Sequence, residues 1–356
     1  MKKILIALLV ALLIVILVAA GYVAYLFIDY HRLDDVQTLE VRSGANGAFK
    51  TDEEKTIVTF NIGFGAYDTD FSFFLDGGKE SRARSREACE NNVRTSLEVL
   101  KAQNADLVLM QEVDVQGTRS RNVNQRAMAE KAFAGYDAVF AQNYDSGYLM
   151  FPIWEPIGAA KSGILTFSNV PIESALRRRL PIESGIRKFL DLDRCYSVSR
   201  IPVENGKTLC LYNLHLSAYT SDGSIATEQL ALLLQDMQTE VQAGNYVIAG
   251  GDFNKDVWGH SADYTGIEGE DASWCKPFPT ELLPENISLV NSLNEDAPVL
   301  SCRDTGSPYQ KGVNFEVTLD GFLVSDNVEV TGCEVIDAGF KSSDHNPVKM
   351  TFALRA

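Results

Sequence analysis

From Ile4 to Ile28 the chain runs for 25 residues without a charged side chain. No fold in water buries such a segment on every side. As a helix rising ~1.5 Å per residue it exceeds the ~30 Å hydrocarbon core of a bilayer. Lys2 and Lys3 precede the run, and Asp29, Asp34 and Asp35 follow it. Because basic residues collect on the cytoplasmic flank, this predicts a single-pass span in the cell membrane with the bulk of the chain outside the cytoplasm. Val18-Ala19-Ala20 has the small residues of a signal-peptide cleavage site, but the apolar run continues eight residues further, which favours an uncleaved anchor.

The chain thus divides into an anchor over 1–28, a polar tether over 29–55 punctuated by Ser43-Gly-Ala-Asn-Gly47, and one large domain over 56–356. The formal net charge is −16. With Lys2 and Lys3 set aside, the remaining 30 basic residues face 48 acids, a balance of −18. Such a body repels polyanions, so nonspecific binding along nucleic acid is disfavoured unless a basic strip or metal ions offset it. Six cysteines show no CxxC and no zinc spacing with the four histidines; Cys275 and Cys302 flank a loop-rich region and can pair if the domain is outside the cytoplasm.

Within 56–356, apolar runs end again and again in polar residues. Thr56-Ile-Val-Thr-Phe-Asn61 is strand-like and closes on an amide. Ala105-Asp-Leu-Val-Leu-Met-Gln-Glu112 is a buried strand closing on an acid, which is costly unless a cation or donors meet it. A hairpin turning at Asn205-Gly206 returns through Thr208–Leu214 to deliver His215. Tyr246-Val-Ile-Ala-Gly-Gly-Asp-Phe-Asn254 places Asp252 and Asn254 two positions apart, so both are expected to leave one strand end toward one ligand. Ser342-Ser-Asp-His-Asn-Pro347 adds Asp344 and His345 just before a last strand, Val348–Leu354. Two of the four histidines therefore sit at strand ends. Acids, amides and two imidazoles without zinc spacing suit a hard cation and acid–base chemistry in a cleft along one sheet edge.

Between these runs, Cys89, Val93, Leu97 and Leu100 mark the apolar face of a helix, and a second helix is expected over about Ala226–Gln242. An insertion over Asp68–Arg86 carries Phe71, Phe73 and Phe74 with Arg82, Arg84 and Arg86. Arg119 and Arg121, on the loop after Glu112, suit phosphate oxygens, although two arginines on a loop are also common as solvated residues. Tyr144–Pro156 is read as an aromatic loop that meets substrate, meets lipid, or covers a satellite core.

Phe60-Asn61, Gln111-Glu112, Asn213-Leu-His215, Gly251-Asp-Phe-Asn254, Leu319-Asp-Gly-Phe-Leu-Val-Ser325 and Ser343-Asp-His345 occur in that order. In these motifs the chain from Thr56 onward resembles the endonuclease/exonuclease/phosphatase superfamily of DNase I-like nucleases, neutral sphingomyelinases and inositol polyphosphate phosphatases. The resemblance implies a four-layer α/β sandwich of two packed mixed sheets flanked by helices, and a metal-dependent phosphoester hydrolase using Mg²⁺, or Mn²⁺ in its place; a monomer is expected. It implies Glu112 as the principal metal carboxylate, with Asn61 and Asp344 beside it. Asp320 would orient His345, and His215 would contact a phosphate oxygen or protonate the leaving group. Asp252 and Asn254 would position water and steady the phosphorane. The motifs are shared across the superfamily, so a lipid head group, a small phosphoester and a nucleic acid are all open as substrates, as is a catalytically silent binding module. Departures from the pattern are the insertion between Asn61 and Glu112 and Gly321 after Asp320.

Overall fold

A computed structural model describes residues 1–185, 187–189, 193–218, 224–266, 275–294 and 296–356. The helices are α1 (Lys2–Asp29), α2 (Arg86–Ala102), α3 (Gln125–Ala132), α4 (Ser224–Gln242) and α5 (Ser261–Thr265). In chain order the strands are β1 (Val36–Leu39), β2 (Val41–Arg42), β3 (Lys55–Asn61), β4 (Leu107–Gly117), β5 (Asp137–Leu149), β6 (Gly158–Ser168), β7 (Ser174–Arg179) and β8 (Cys195–Pro202). They continue with β9 (Thr208–His215), β10 (Tyr246–Asp252), β11 (Ile287–Leu289), β12 (Cys302–Arg303), β13 (Glu316–Val317), β14 (Asp320–Ser325), β15 (Val328–Val335) and β16 (Val348–Leu354).

Two seven-stranded sheets result, ordered β1-β7-β8-β9-β10-β14-β11 and β15-β16-β3-β4-β6-β5-β2. Each is antiparallel apart from one parallel pair, β9/β10 in the first and β3/β4 in the second. Both parallel pairs are joined by a helix, α4 and α2, as a same-direction crossover requires. Period-two alternation then builds the layers. In β3 and β10, Ile57, Tyr246 and Ile248 point between the sheets, where they meet Leu109, Phe322 and Met350. Their neighbours Val58 and Phe60 face Val93, Leu97 and Leu100 of α2, whereas Val247 and Ala249 face Leu230, Leu233 and Met237 of α4. The four-layer α/β sandwich is therefore as expected. Helix α2 starts where Ser85 Oγ accepts the Ala88 amide at 3.0 Å, a side-chain cap.

Several boundaries differ from the sequence reading. Residues 29–55, read as a tether, contain β1 and β2, which pair with β7 and β5 on opposite sheets, and Phe49, which is fully buried between them. Short edge strands of four and two residues carry no readable periodicity. Tyr144 and Tyr148, read as loop, lie in β5, so the loop is confined to 150–157. Phe71 and Phe73 are core residues, and Arg82, Arg84 and Arg86 are paired with Glu155, Asp68 and Glu90. All six cysteines are free thiols; Cys275 and Cys302 share one small apolar cluster with Phe315, Val317 and Leu319.

Candidate active site

The site lies at the C-terminal ends of the two parallel pairs, where both sheets present polar side chains at one edge. At the end of β3, Asn61 Nδ2 lies 3.0 Å from Asp252 Oδ2 and 3.5 Å from both Glu112 Oε1 and His345 Nε2. One amide thus touches the end of β10, the middle of β4 and the segment that leads into β16. Its Oδ1 accepts the Gly63 amide at 3.0 Å, which fixes the turn that follows.

Strand β4 does not end at Glu112, as its apolar run implied, but continues to Gly117. Its pairing with β6 slips between Met110 and Val113, and Glu112 adopts φ 55 within the bulge. The bulge turns Glu112 out of the ladder toward the cleft. Burial, offset by Arg119 and reinforced by Asp344, raises the Glu112 carboxyl above its ordinary range.

Gly250 and Gly251 bring Asp252 into place. A Cβ on Gly250 would stand 2.6 Å from the Phe322 ring, and one on Gly251, at φ +148, would strike the Leu214 carbonyl oxygen at 2.0 Å. The pair lets β10 press against β9 and β14. Asp252 Oδ1 accepts the Asn254 amide at 2.8 Å, and Asn254, at φ 49, gives its Nδ2 to the Leu216 carbonyl at 2.8 Å. Asn254 therefore sits in the turn beyond the strand rather than on it. Burial first, then the like charge of Asp320, pushes the Asp252 carboxyl up to about 7.

On the far side, Asp320 Oδ2 lies 2.7 Å from His345 Nδ1 and accepts Ser301 Oγ at 2.7 Å. Burial opposes a charge on His345, but Asp320 together with Cys302 outweighs it and holds the imidazole well above its ordinary value. His215 is the opposite case. Burial and the positive surroundings of Arg194, His345 and Arg119 keep it well below its ordinary value, so it is neutral in this setting. The sequence offered no acid for His215; the fold supplies Asp252, whose Oδ2 is 3.4 Å from Nε2. Because Asp252 itself titrates near neutrality, it does not offset the three cationic neighbours.

The structure thus gathers Asn61, Glu112, His215, Asp252, Asp320 and His345. Asp344 lies against the Asn61 turn, its Oδ1 2.8 Å from where a Gly63 Cβ would be. Arg119 borders the cleft, but its guanidinium is held bidentately by buried Asp114, at 2.8 and 3.2 Å, and lies over the rings of Phe64 and Tyr144. Arg121 is turned onto the Ala83 carbonyl at 2.6 Å and faces Glu155 at 3.5 Å.

Beneath the site, Gln111 Nε2 donates to Asn213 Oδ1 at 2.8 Å, and Asn213 Nδ2 donates to Thr166 Oγ1 and the Leu165 carbonyl, both at 3.2 Å. This buried bridge joins the sheets directly behind Glu112 and His215. Ser301 and Arg194 were invisible to sequence reasoning, and Ser343 was legible only as part of a motif, with no role. Ser343 Oγ donates to the Asn61 carbonyl at 2.7 Å, and its place beside the Asp344-His345 motif was the only signal available.

Among the described residues, two donor sets come into question for a metal ion. Asp252, Asp320 and His345 offer atoms within 4.8 Å of one another. His345 and Asp320 already share a short hydrogen bond, however, the geometry of an acid–base dyad. Glu112 and Asp344, both half-buried, bring carboxylate oxygens, which suit a hard divalent cation, whereas Asn61 turns Nδ2 toward Glu112 and engages Oδ1 with the Gly63 amide, leaving that oxygen's second lone pair as its one donor site.

The sequence pattern described as "Endonuclease/Exonuclease/phosphatase family" matches residues 58–345. The chain belongs to the endonuclease/exonuclease/phosphatase family. Solved structures agree in fold. An endonuclease/exonuclease/phosphatase from Beutenbergia cavernae DSM 12333 superposes with a TM-score of 0.55 at 16% identity, covering 85% of this chain and 72% of that one. ANGEL2, a 2′,3′-cyclic phosphatase, in complex with adenosine-2′,3′-vanadate, gives a TM-score of 0.55 at 16% identity over 89% and 99% of the two chains. The human Nocturnin catalytic domain with bound sulfate gives 0.52 at 18% over 89% and 97%. Comparison with curated protein sequences gave no match.

Proposed function

We propose that this family member is a Mg²⁺-dependent hydrolase of phosphoester bonds, fixed to a membrane by α1 with its catalytic domain outside the cytoplasm. The observation that carries the reading is the convergence on Asn61 of Glu112, Asp252 and His345 from three separate stretches of the chain. Helix α1 supports the location, being long and apolar enough to cross a membrane with none of its residues buried. The lysines before it and the aspartates after it support the orientation.

Glu112, with Asn61 and Asp344, would hold the ion, which when bound supplies positive charge against the phosphate oxygens. Asp252, poised near neutrality, accepts the proton of the attacking water, which the turn at Asn254 helps to position. His345, kept protonated by Asp320, offers Nε2 to the charge that grows on the phosphoryl group. His215 stands as a neutral donor on the other flank of Asp252. The −18 balance outside the first three residues disfavours a nucleic-acid polymer as substrate. A silent module is disfavoured because each motif side chain is in place.

The test is hydrolysis by the full chain in detergent micelles of bis(p-nitrophenyl) phosphate, plasmid DNA, sphingomyelin and inositol phosphates, with Mg²⁺ and with EDTA. Turnover of at least one ester that EDTA abolishes, and that Glu112→Gln lowers by about 10²-fold, is expected. Absence of EDTA-sensitive hydrolysis on all four would overturn the proposal.

A further inference from the structure

The loop 150–157 is unusual for its exposed apolar surface. Ile153 and Trp154 are 84% and 74% exposed, more than any other large apolar side chain described after the N-terminal 28 residues. Met150 and Phe151 stand beside them at 54% and 57%. Four such side chains in five positions are costly in water and mark a contact surface.

What covers them follows from α1. From Ile4 to Gly21 the helix is exposed and touches nothing in the domain, a length of roughly 27 Å at ~1.5 Å per residue, close to the ~30 Å of a bilayer core. Contact begins at Tyr22, and it begins on this loop. Tyr22 Oη accepts the Met150 amide at 2.8 Å and lies 3.2 Å from the Tyr148 carbonyl, while Tyr25 Oη accepts the Tyr148 amide at 2.9 Å. Gly147 permits the approach, since a Cβ there would stand 2.6 Å from Asp29 Oδ2 and 3.0 Å from Tyr25 Oη. Leu26 and Tyr30 pack on the outer core, Phe27 and Tyr30 meet Phe189 edge-on at 5.1 and 5.5 Å, and Lys188 Nζ lies 4.1 Å from the Tyr30 ring centroid. A void of only ≈ 10 Å³ is left between helix and strand. The loop is therefore held at the depth where the helix leaves the hydrocarbon.

We propose that loop 150–157 lies in the interfacial layer of the membrane that α1 crosses, giving the domain a second contact and a fixed orientation on the lipid surface. Tyr22, Tyr25, Tyr148 and Trp154 form an aromatic belt at one level, the place such rings favour, and Lys188 stands where lipid phosphates lie. Strands β4 and β5 both run antiparallel to β6, so this loop and Glu112 occupy the same end of the sandwich. Phe151 packs on Phe74 at 5.4 Å, and Phe74 on Phe73 at 5.0 Å, which ties the loop to the insertion before α2. Resting on the hydrolase reading above, this orientation presents the cleft to phosphoesters in the plane of the bilayer, and the substrate class is a phospholipid head group.

The test uses the full chain reconstituted in phosphatidylcholine vesicles with a minor share of phosphatidylglycerol, with and without brominated acyl chains. The three tryptophans are Trp154, Trp258 and Trp274, none of them in α1. Brominated lipid should quench the full chain, and Trp154→Phe should lose most of that quenching. Equal quenching of the two proteins, or protection of the loop by a second copy in cross-linking, overturns the docking. The double variant Ile153→Ser/Trp154→Ser should hydrolyse soluble bis(p-nitrophenyl) phosphate within about twofold of the parent, yet lose about tenfold on phospholipid vesicles. Unchanged vesicle hydrolysis overturns the orientation. A parent inert on the soluble ester and on the other three esters named above would sink the hydrolase reading, whereas the quenching result would still decide the docking.

Discussion

Replacing Asp320 by asparagine removes one negative oxygen from the His345 pair and alters almost nothing else in shape. Asp320 is fully buried, bonds the imidazole with its Oδ2 2.7 Å from Nδ1, and otherwise bears on the cleft as a like charge near Asp252. A hydrogen bond to a charged group contributes about 1.5–3 kcal/mol, or roughly 10- to 150-fold in rate at ~1.4 kcal/mol per decade. An amide NH₂ at the same place also favours the imidazole tautomer with the proton on Nε2, and acid–base residues contribute about 10²–10⁴-fold. The expected result for Asp320→Asn is therefore a fall in kcat of about 10²-fold or more, with KM changed by less than about threefold. Ser301→Ala removes only the hydroxyl that donates to the same oxygen at 2.7 Å, and should cost about three- to tenfold. The assay is initial-rate hydrolysis of bis(p-nitrophenyl) phosphate in saturating Mg²⁺, with thermal melts to show that both variants fold. A kcat within about threefold of the parent for Asp320→Asn, or a larger loss for Ser301→Ala, refutes the assigned dyad.

Two further outcomes concern the frame around the site. Asn213→Leu strips Gln111 and the Leu165 carbonyl of a buried partner each at about 1–3 kcal/mol, so the melting temperature should fall by about 3–10 °C; an unchanged melt would show that the sheets are not held together there. Arg119→Met leaves Asp114, whose side chain is inaccessible to solvent, without its counter-charge. Urea denaturation should show a loss of about 3–5 kcal/mol, partly recovered in Arg119→Met/Asp114→Asn, and full stability of the single variant would mean that Arg119 serves only the cleft.

The central strands were legible because they are buried on both faces, and continuous apolar runs such as 107–110 and 246–249 have few other places to go. Their last residues then stood out as polar groups in an apolar setting. That is why Asn61, His215 and Asp252 could be placed together from sequence, and why β16 matches its expected span. The tertiary partners were not legible. The acid beside His215 comes from the neighbouring strand, and Ser301 comes from a loop without periodicity, about twenty residues before the aspartate it bonds. The pairing of Arg119 with Asp114 depends on a turn that returns the chain over β4, which no spacing announces. Nor did any pattern reveal that β4 continues past Glu112.

That continuation gives position 112 a double identity. Before the bulge β4 alternates regularly, Leu109 inward and Met110 outward; after it Val113 faces outward again, as though one residue had been added to the strand. The added residue is the acid itself, held in a left-handed conformation that costs a non-glycine residue about 1–2 kcal/mol. Removing it would restore an unbroken ladder, and glycine there would relax the backbone, yet either change takes away the carboxylate. Selection for a sturdier sheet and selection for turnover therefore pull in opposite directions at this one position.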